Sequence, residues 1–144
     1  MSKVSNILGR KGHDAISIPP ATTVYRALEL MAEKNIGSLV VKEGENFLGI
    51  MTERDYSRKV ILKGKHSSDT TVEEIMSTDL PKVTPEDSVE RCMELMSDKN
   101  IRYLPVFIDQ QLAGIISISD VVKETILQQK ETINHLQDYI HSGG

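Results

Sequence analysis

The chain has 144 residues, of which 39% are hydrophobic and 26% charged, and its formal net charge is -4. Such a length is that of one ordinary domain able to withdraw roughly 70% of its unfolded surface from water, and the composition excludes a disordered chain. The acidic balance argues against broad binding to nucleic acid, where Lys and Arg must neutralise phosphates, and no run nears the roughly 18 apolar residues of a membrane span.

In chain order, residues 4–8 (VSNIL) read as a short helical lead-in, followed by a brief apolar strand that ends at Ile18 and then by Pro20. Thr22 or Thr23 caps a helix whose Val24, Ala27, Leu28 and Met31 share one face. Strands are predicted at 38–41 and 47–51 around a polar turn at 42–46, and a second helix starts just after Met51. The polar stretch 63–71 (KGKHSSDTT) reads as a linker, after which 72–76 (VEEIM) echoes the lead-in.

From there the pattern recurs. A shift of 65 residues superposes 18–55 on 83–120 without a gap, aligning Pro20 with Pro85, Asn35 with Asn100, Gly49 with Gly114 and Asp55 with Asp120. The twin helix carries Val89, Cys92, Met93 and Met96, and the twin strands fall at 103–108 and 112–116. The expected fold is therefore mixed α/β (α+β): tandem β-α-β-β-α repeats related by a pseudo-twofold axis, sharing a core because such a small unit is marginal alone. The segments follow as 1–66 for the first repeat with its lead-in, 67–128 for the second, and 129–144 for a C-terminal helical tail.

Each second helix is introduced by the same kind of sequence, Gly49-Ile50-Met51-Thr52-Glu53-Arg54-Asp55 and Gly114-Ile115-Ile116-Ser117-Ile118-Ser119-Asp120. A hydroxyl followed three places on by a carboxylate is, at its plainest, a capping box. The same start also offers free N–H groups and a positive dipole end to a phosphate, and an Asp to a pair of ribose hydroxyls. The repeat order and the twice-present motif Gly-h-h-Thr/Ser-x-x-Asp, with h apolar, together resemble the CBS (cystathionine-β-synthase) domain family over nearly the whole chain.

The resemblance implies a regulatory, non-enzymatic module that binds AMP, or ADP, ATP, NAD or S-adenosylmethionine, in the cleft between repeats, with no resident cofactor required. It assigns Asp55 and Asp120 to the ribose, Thr52 and Ser117 to ribose or phosphate, and Arg102 to phosphate. Gly37 stands where repeat one would carry that Arg. Arg54, whose counterpart is Ser119, is the expected substitute, since a planar guanidinium can meet two phosphate oxygens at once. For both arginines a solvated surface charge is the alternative. Crossing contributions to the base are implied from Ile16, Ile18, Ile36 and Ser38 for the Asp120 site. For the Asp55 site they come from 76–82 with Lys82, Ile101 and Tyr103, where Tyr103 either stacks on the base or blocks it. More narrowly, 53–59 (ERDYSRK) and the tail through Ile140 are similar to plant mitochondrial CBS-pair proteins that regulate thioredoxins, a form that bacterial stand-alone relatives share. A thioredoxin-like protein or an enzyme is thus an implied partner class.

Past Asp120, Val122, Ile126, Gln129, Ile133, Leu136 and Ile140 follow a 4-3-4-3-4 spacing, one apolar seam along a helix. It either packs on its own domain or pairs with another subunit; pairing is preferred, because CBS pairs commonly form disc-shaped homodimers. Cys92, alone of its kind and set in an apolar pattern, reads as a buried inert thiol. His13, His66, His135 and His141 form no metal-ligand set, and no nucleophile has an identifiable base beside it, so neither a metal site nor an enzyme is expected. The start lacks the apolar region of a secretory leader, and a cytoplasmic protein without nucleic-acid or membrane partners is expected. The competing expectation is a ligand-free interaction protein acting through its dimer surface and C-terminal helix.

Overall fold

The structure, a computed structural model, describes residues 2–143. Its elements run α1 (Val4–Lys11), β1 (Ser17–Ile18), α2 (Val24–Lys34), β2 (Ser38–Glu43), β3 (Asn46–Thr52) and α3 (Glu53–Lys59). There follow α4 (Val72–Ile75), α5 (Val89–Lys99), β4 (Tyr103–Ile108), β5 (Gln111–Ser117) and α6 (Ile118–Gly143). The expected mixed α/β order is present, and both lead-ins are helical.

The long first helix of each repeat is delimited by the same chemistry. The Thr23 hydroxyl accepts from the Arg26 N–H at 3.2 Å, and the Ser88 hydroxyl from the Arg91 N–H at 3.0 Å. Both helices end on an asparagine in the left-handed region, Asn35 at φ 55° and Asn100 at φ 54°, a conformation this short polar side chain tolerates. Between these ends Val24, Ala27 and Met31, and likewise Val89, Cys92 and Met96, are buried. Burial pushes the Cys92 thiol up to about 11, so it stays protonated and unreactive, as its apolar setting implied.

In the first sheet, ordered β1-β2-β3, β1 lies parallel to β2, and β2 pairs antiparallel with β3, placing Ser38 opposite Thr52. The second sheet holds β4 and β5, and an isolated parallel bridge from Val83 to Val106 is what remains there of a β1 equivalent. The first hairpin turn is shorter than the predicted 42–46, because β2 runs on through Glu43 and reverses at Gly44, φ 63°. The second reverses through Asp109 and Gln110, at φ 49° and 68°, the positive pair that a two-residue type I′ turn requires.

The chain divides into two compact units. One comprises Met1–His13, Pro81–Ile108 and Ala113–Gly144, and the other Asp14–Leu80 with Asp109–Leu112; they are called here the α6 unit and the α3 unit. In the α6 unit, Val4, Ile7 and Leu8 of α1 pack into one core with Val89, Cys92, Leu104 and Ile116. In the α3 unit, Val72 and Ile75 of α4 pack with Val24, Leu39, Met51 and Val60. Each lead-in therefore precedes one repeat in sequence and belongs to the core of the other. The packing units are thus not the consecutive segments 1–66 and 67–128. Burying a Leu or Ile is worth about 1.5–3 kcal/mol, so three such side chains tie α1 firmly to its core.

The two second helices differ sharply in length. After α3 the buried Val60 turns into the core, a turn of 3-10 helix follows at Ile61–Lys63, and Gly64 ends it in the left-handed region at φ 71°. No glycine interrupts the corresponding run after Asp120 until position 143, and α6 continues unbroken through the tail.

Candidate functional site

The two motif carboxylates sit at the third position of α3 and of α6, where the chain passes from strand to helix. In the α3 unit the Thr52 N–H donates to Asp55 Oδ2 at 3.0 Å, and the Asp55 N–H donates back to Thr52 Oγ1 at 3.1 Å. In the α6 unit the Ser117 N–H donates to Asp120 Oδ2 at 2.8 Å, and the Asp120 N–H returns to Ser117 Oγ at 3.2 Å. Both are capping boxes, so the plainest sequence reading holds for each. A cap occupies one carboxylate oxygen, and what happens at the other separates the sites.

Asp55 is 5% exposed. Its Oδ1 accepts from the Ser77 hydroxyl at 3.0 Å and pairs with Lys59 Nζ at 3.0 Å, while Lys59 also donates to the Ile75 carbonyl at 2.8 Å. Both oxygens of Asp55 are therefore engaged by the protein itself. At Asp120 the cation comes from α1, and Lys11 Nζ lies 2.7 Å from the already capped Oδ2 while also donating to the Ile115 carbonyl at 2.9 Å. The donors named for Asp120 thus converge on Oδ2, in contrast to the two engaged oxygens of Asp55. Burial pushes the Asp120 carboxyl up, but the Lys11 hydrogen bond, the Ser117 amide and the Lys11 charge outweigh it and hold it below the ordinary carboxylate value. It is ionised at neutral pH, where both of its oxygens are acceptors only.

One turn further on the charges invert. Lys59 stands four residues after Asp55, whereas Glu124 stands four after Asp120, 3% exposed. Glu124 is held by Arg10 Nε at 2.8 Å and by the Ser2 hydroxyl at 3.2 Å. This second cation from α1 compensates a carboxylate that would otherwise be buried unpaired, a costly state.

Arg102 belongs with Asp120. Its carbonyl accepts the Ile118 N–H, the first amide of α6, at 2.9 Å, which anchors the residue beside the Ser117 to Asp120 turn with its side chain exposed. In the α3 unit the Gly37 carbonyl takes the Glu53 N–H at 3.2 Å in the same way, and glycine supplies no side chain there. Arg54 is half-buried on α3, and Ser119 is exposed on α6.

The remaining sequence candidates are placed by their own units. Ser38 pairs with Thr52, Ile18 and Ile36 contribute to the α3-unit core, and Ile16 lies at its edge with its carbonyl bonded to the Val40 N–H. In the α6 unit Ile101 packs on the core and Tyr103, half-buried, opens β4. Lys82 places its ammonium 4.6 Å from the centre of the Phe107 ring, a cation–π contact. A hollow of about 540 Å³ opens between the end of α2 and α3, lined by Leu28, Met31, Asn35, Glu53 and Tyr56 among others. Neither Thr52 nor Asp55 lines it, and its charged residue is Glu53, which does not suit a phosphate. Among the described residues no group of three His, Cys, Asp or Glu is arranged to hold a metal ion.

Sequence reasoning missed the partners of the carboxylates. Lys59 was within reach of it, since a carboxylate and a lysine four apart on a helix attract. Ser77 and Lys11 lie 22 and 109 residues from the carboxylates they bond, and no local pattern announces such pairs.

Two strand-to-helix junctions with capped aspartates, in a tandem β-α-β-β-α chain, define a class of paired regulatory repeats. The CBS domain matches residues 4–61 and 72–126, and the chain belongs to the CBS-domain family as a tandem pair. It is 40% identical, over 97% of its length and 72% of the relative's, to the CBS domain-containing protein CBSX3, mitochondrial, of Arabidopsis thaliana. A putative signal-transduction protein with CBS domains from Burkholderia ambifaria is 43% identical, with a TM-score of 0.85 over 89% of this chain and 96% of that one. A hexameric CBS-CP12 protein from bloom-forming cyanobacteria is 33% identical, with a TM-score of 0.72 over 85% and 70%. Among the described residues no helix is long and apolar enough to cross a membrane.

Proposed function

We propose that this CBS pair is a regulatory sensor of an adenine nucleotide, AMP or a related adenosine compound, bound at the start of α6. The observation that supports this reading is that Asp120, ionised and with its cap and cation both on Oδ2, shares the start of α6 with Arg102, whose carbonyl accepts the first amide of that helix. Asp120 accepts the ribose hydroxyls, Arg102 meets the phosphate, and Ser117 and Ser119 line the approach. Asp55 is the weaker ligand site, since a ribose there must displace Ser77 or Lys59. The nucleotide regulates by binding one arrangement of the pair better than another, because a ligand indifferent to both shifts nothing.

Titration calorimetry with AMP tests the assignment. Asp120→Ala and Arg102→Ala each weaken binding by about 1.5–3 kcal/mol, the scale of a hydrogen bond to a charged group. Unchanged affinity in both variants overturns the site. Thermal melts with millimolar AMP, ATP, NAD and S-adenosylmethionine rank the ligands, because one that favours the native state raises the midpoint.

A second reading, a ligand-free interaction protein, is favoured by the apolar side chains that α6 leaves exposed. An absence of any midpoint shift with all four compounds decides for it. A cytoplasmic location and a thioredoxin-like or enzymic partner belong to the first reading, and co-precipitation that depends on added nucleotide tests the partner.

A further inference from the structure

Where α3 ends, the first repeat departs from the second in charge as well as in shape. Under the 65-residue shift, 58–66 (RKVILKGKH) aligns with 123–131 (KETILQQKE). The first stretch carries Arg58, Lys59, Lys63 and Lys65 with no acid, whereas the second sets Glu124 and Glu131 against Lys123 and Lys130. Only the first is basic. Val60, fully buried, roots it in the core of the α3 unit. The Val60 carbonyl accepts the Lys63 N–H at 3.2 Å and the Lys65 N–H at 3.0 Å, and the Ile61 carbonyl accepts the Gly64 N–H at 3.3 Å. The loop is thus closed by its own backbone, yet every residue from 61 to 66 is exposed. Ile61 is 56% exposed and Leu62 76%, side by side on the turn.

The cations around this apolar pair are available. Lys59 is committed to Asp55 and to the Ile75 carbonyl, but among the described residues Arg58, Lys63 and Lys65 form no ion pair. Of the acids on neighbouring segments, Glu74 already accepts the Thr71 N–H at 2.7 Å and the Thr71 hydroxyl at 3.2 Å. A specific protein interface needs about 800 Å² from each partner, drawn from roughly 20–30 residues, and so short a loop falls well below that. An anionic bilayer asks for less. Apolar side chains enter its acyl boundary while Lys and Arg stay among the headgroups, and no matching pocket is required. Each cation strengthens such adsorption about fivefold, and each Leu or Ile withdrawn from water about tenfold or more. The net charge of -4 does not oppose it, since acids beyond about 8 Å are screened at physiological salt. Tyr25, 55% exposed, is tied to the end of the loop by its N–H to the Ser67 carbonyl at 3.0 Å, and tyrosine is a residue that sits at headgroup level.

We propose that the loop 61–66, together with Arg58, adsorbs to an anionic lipid surface, with Ile61 and Leu62 entering the acyl boundary and Arg58, Lys63 and Lys65 resting on headgroup phosphates. Peripheral adsorption needs no spanning helix, so the sequence expectation of no membrane partner, drawn from the lack of a span, does not reach it. Nucleotide binding plays no part. Co-sedimentation with vesicles of phosphatidylcholine and phosphatidylglycerol in equal parts reads it, at about 0.1 M salt, where the Debye length is about 10 Å. The chain pellets with these vesicles and stays in solution with phosphatidylcholine alone. Ile61→Ser with Leu62→Ser lowers the partition coefficient about a hundredfold, and Lys63→Glu with Lys65→Glu lowers it at least about 25-fold. Both double variants keep the melting midpoint, because none of the four side chains is buried. Equal binding to the two kinds of vesicle, or binding that either double variant leaves unchanged, overturns the proposal. A change of mass in sedimentation equilibrium of the Ile61 and Leu62 variant without lipid also overturns it, by giving the loop to a second copy. Tighter binding to polyglutamate than to the vesicles does the same, by giving it to an acidic protein.

Discussion

The starts of α3 and α6 carry the same motif and the same cap, yet their carboxylates are committed differently. Asp55 has both oxygens taken, one by the cap and the other by Ser77 and Lys59. Asp120 has its donors gathered on one oxygen and borrows its cation, Lys11, from a helix at the other end of the chain. Duplication preserves the local hydrogen bonds because four consecutive residues contain them. The further partners, Ser77 for Asp55 and Lys11 for Asp120, diverge because other segments furnish them, and a motif match therefore locates a carboxylate without saying whether it is free to bind.

The largest difference expected between the repeats lies at the motif glycines. A Cβ on Gly49 would stand 2.6 Å from the Ser77 carbonyl oxygen, which accepts the Ile50 N–H at 3.0 Å, whereas one on Gly114 would meet the movable Leu8 Cδ2 at 3.0 Å. Gly49→Ala is expected to cost about 3 kcal/mol in urea unfolding and Gly114→Ala about 1 kcal/mol, the range that overpacking spans. Equal costs would erase the contrast.

Next in size is the carboxylate pair. Asp55→Ala removes a cap and leaves the half-buried Ser77 hydroxyl without its carboxylate, at about 2 kcal/mol of stability, while Asp120→Ala loses its cap and a Lys11 pair whose ammonium can turn to water, about 1 kcal/mol. Chemical denaturation of both variants without nucleotide reads this. A larger loss at Asp120 would make it the structural member of the pair.

A smaller effect concerns acid. The folded pKa of Asp120 is depressed, so its contribution to stability is complete above the unfolded value of about 3.9 and is lost as pH falls through the lower folded value. Lys11→Met removes the principal cause, and the Asp120 carboxyl, followed by carbon NMR from pH 2 to 6, titrates higher. The variant then loses less stability between pH 4 and pH 2 than the parent does. A titration unmoved by the substitution would assign the depression to the Ser117 cap alone.

The smallest effect distinguishes the hairpins. Gly44 meets its positive φ without penalty, while Gln110 holds φ 68° with a full side chain. Gln110→Gly is expected to gain about 0.5 kcal/mol, and the thermal midpoint reads it. A loss would mean that the Gln110 side chain repays its backbone strain.

Much of this molecule is legible in one dimension. The 65-residue shift, the caps at Thr23 and Ser88, the Thr52 to Asp55 and Ser117 to Asp120 boxes and the seam of α6 are all written in residues a few places apart, because helix and strand periods and first-turn hydrogen bonds are local physics. Tertiary structure alone decided that α1 joins the core of the second repeat and α4 that of the first, that Ser77 reaches Asp55, and that Lys11 and Arg10 compensate Asp120 and Glu124. An apolar face states that it must be covered but not by which core, and a carboxylate states its charge but not which distant cation the packing will bring to it.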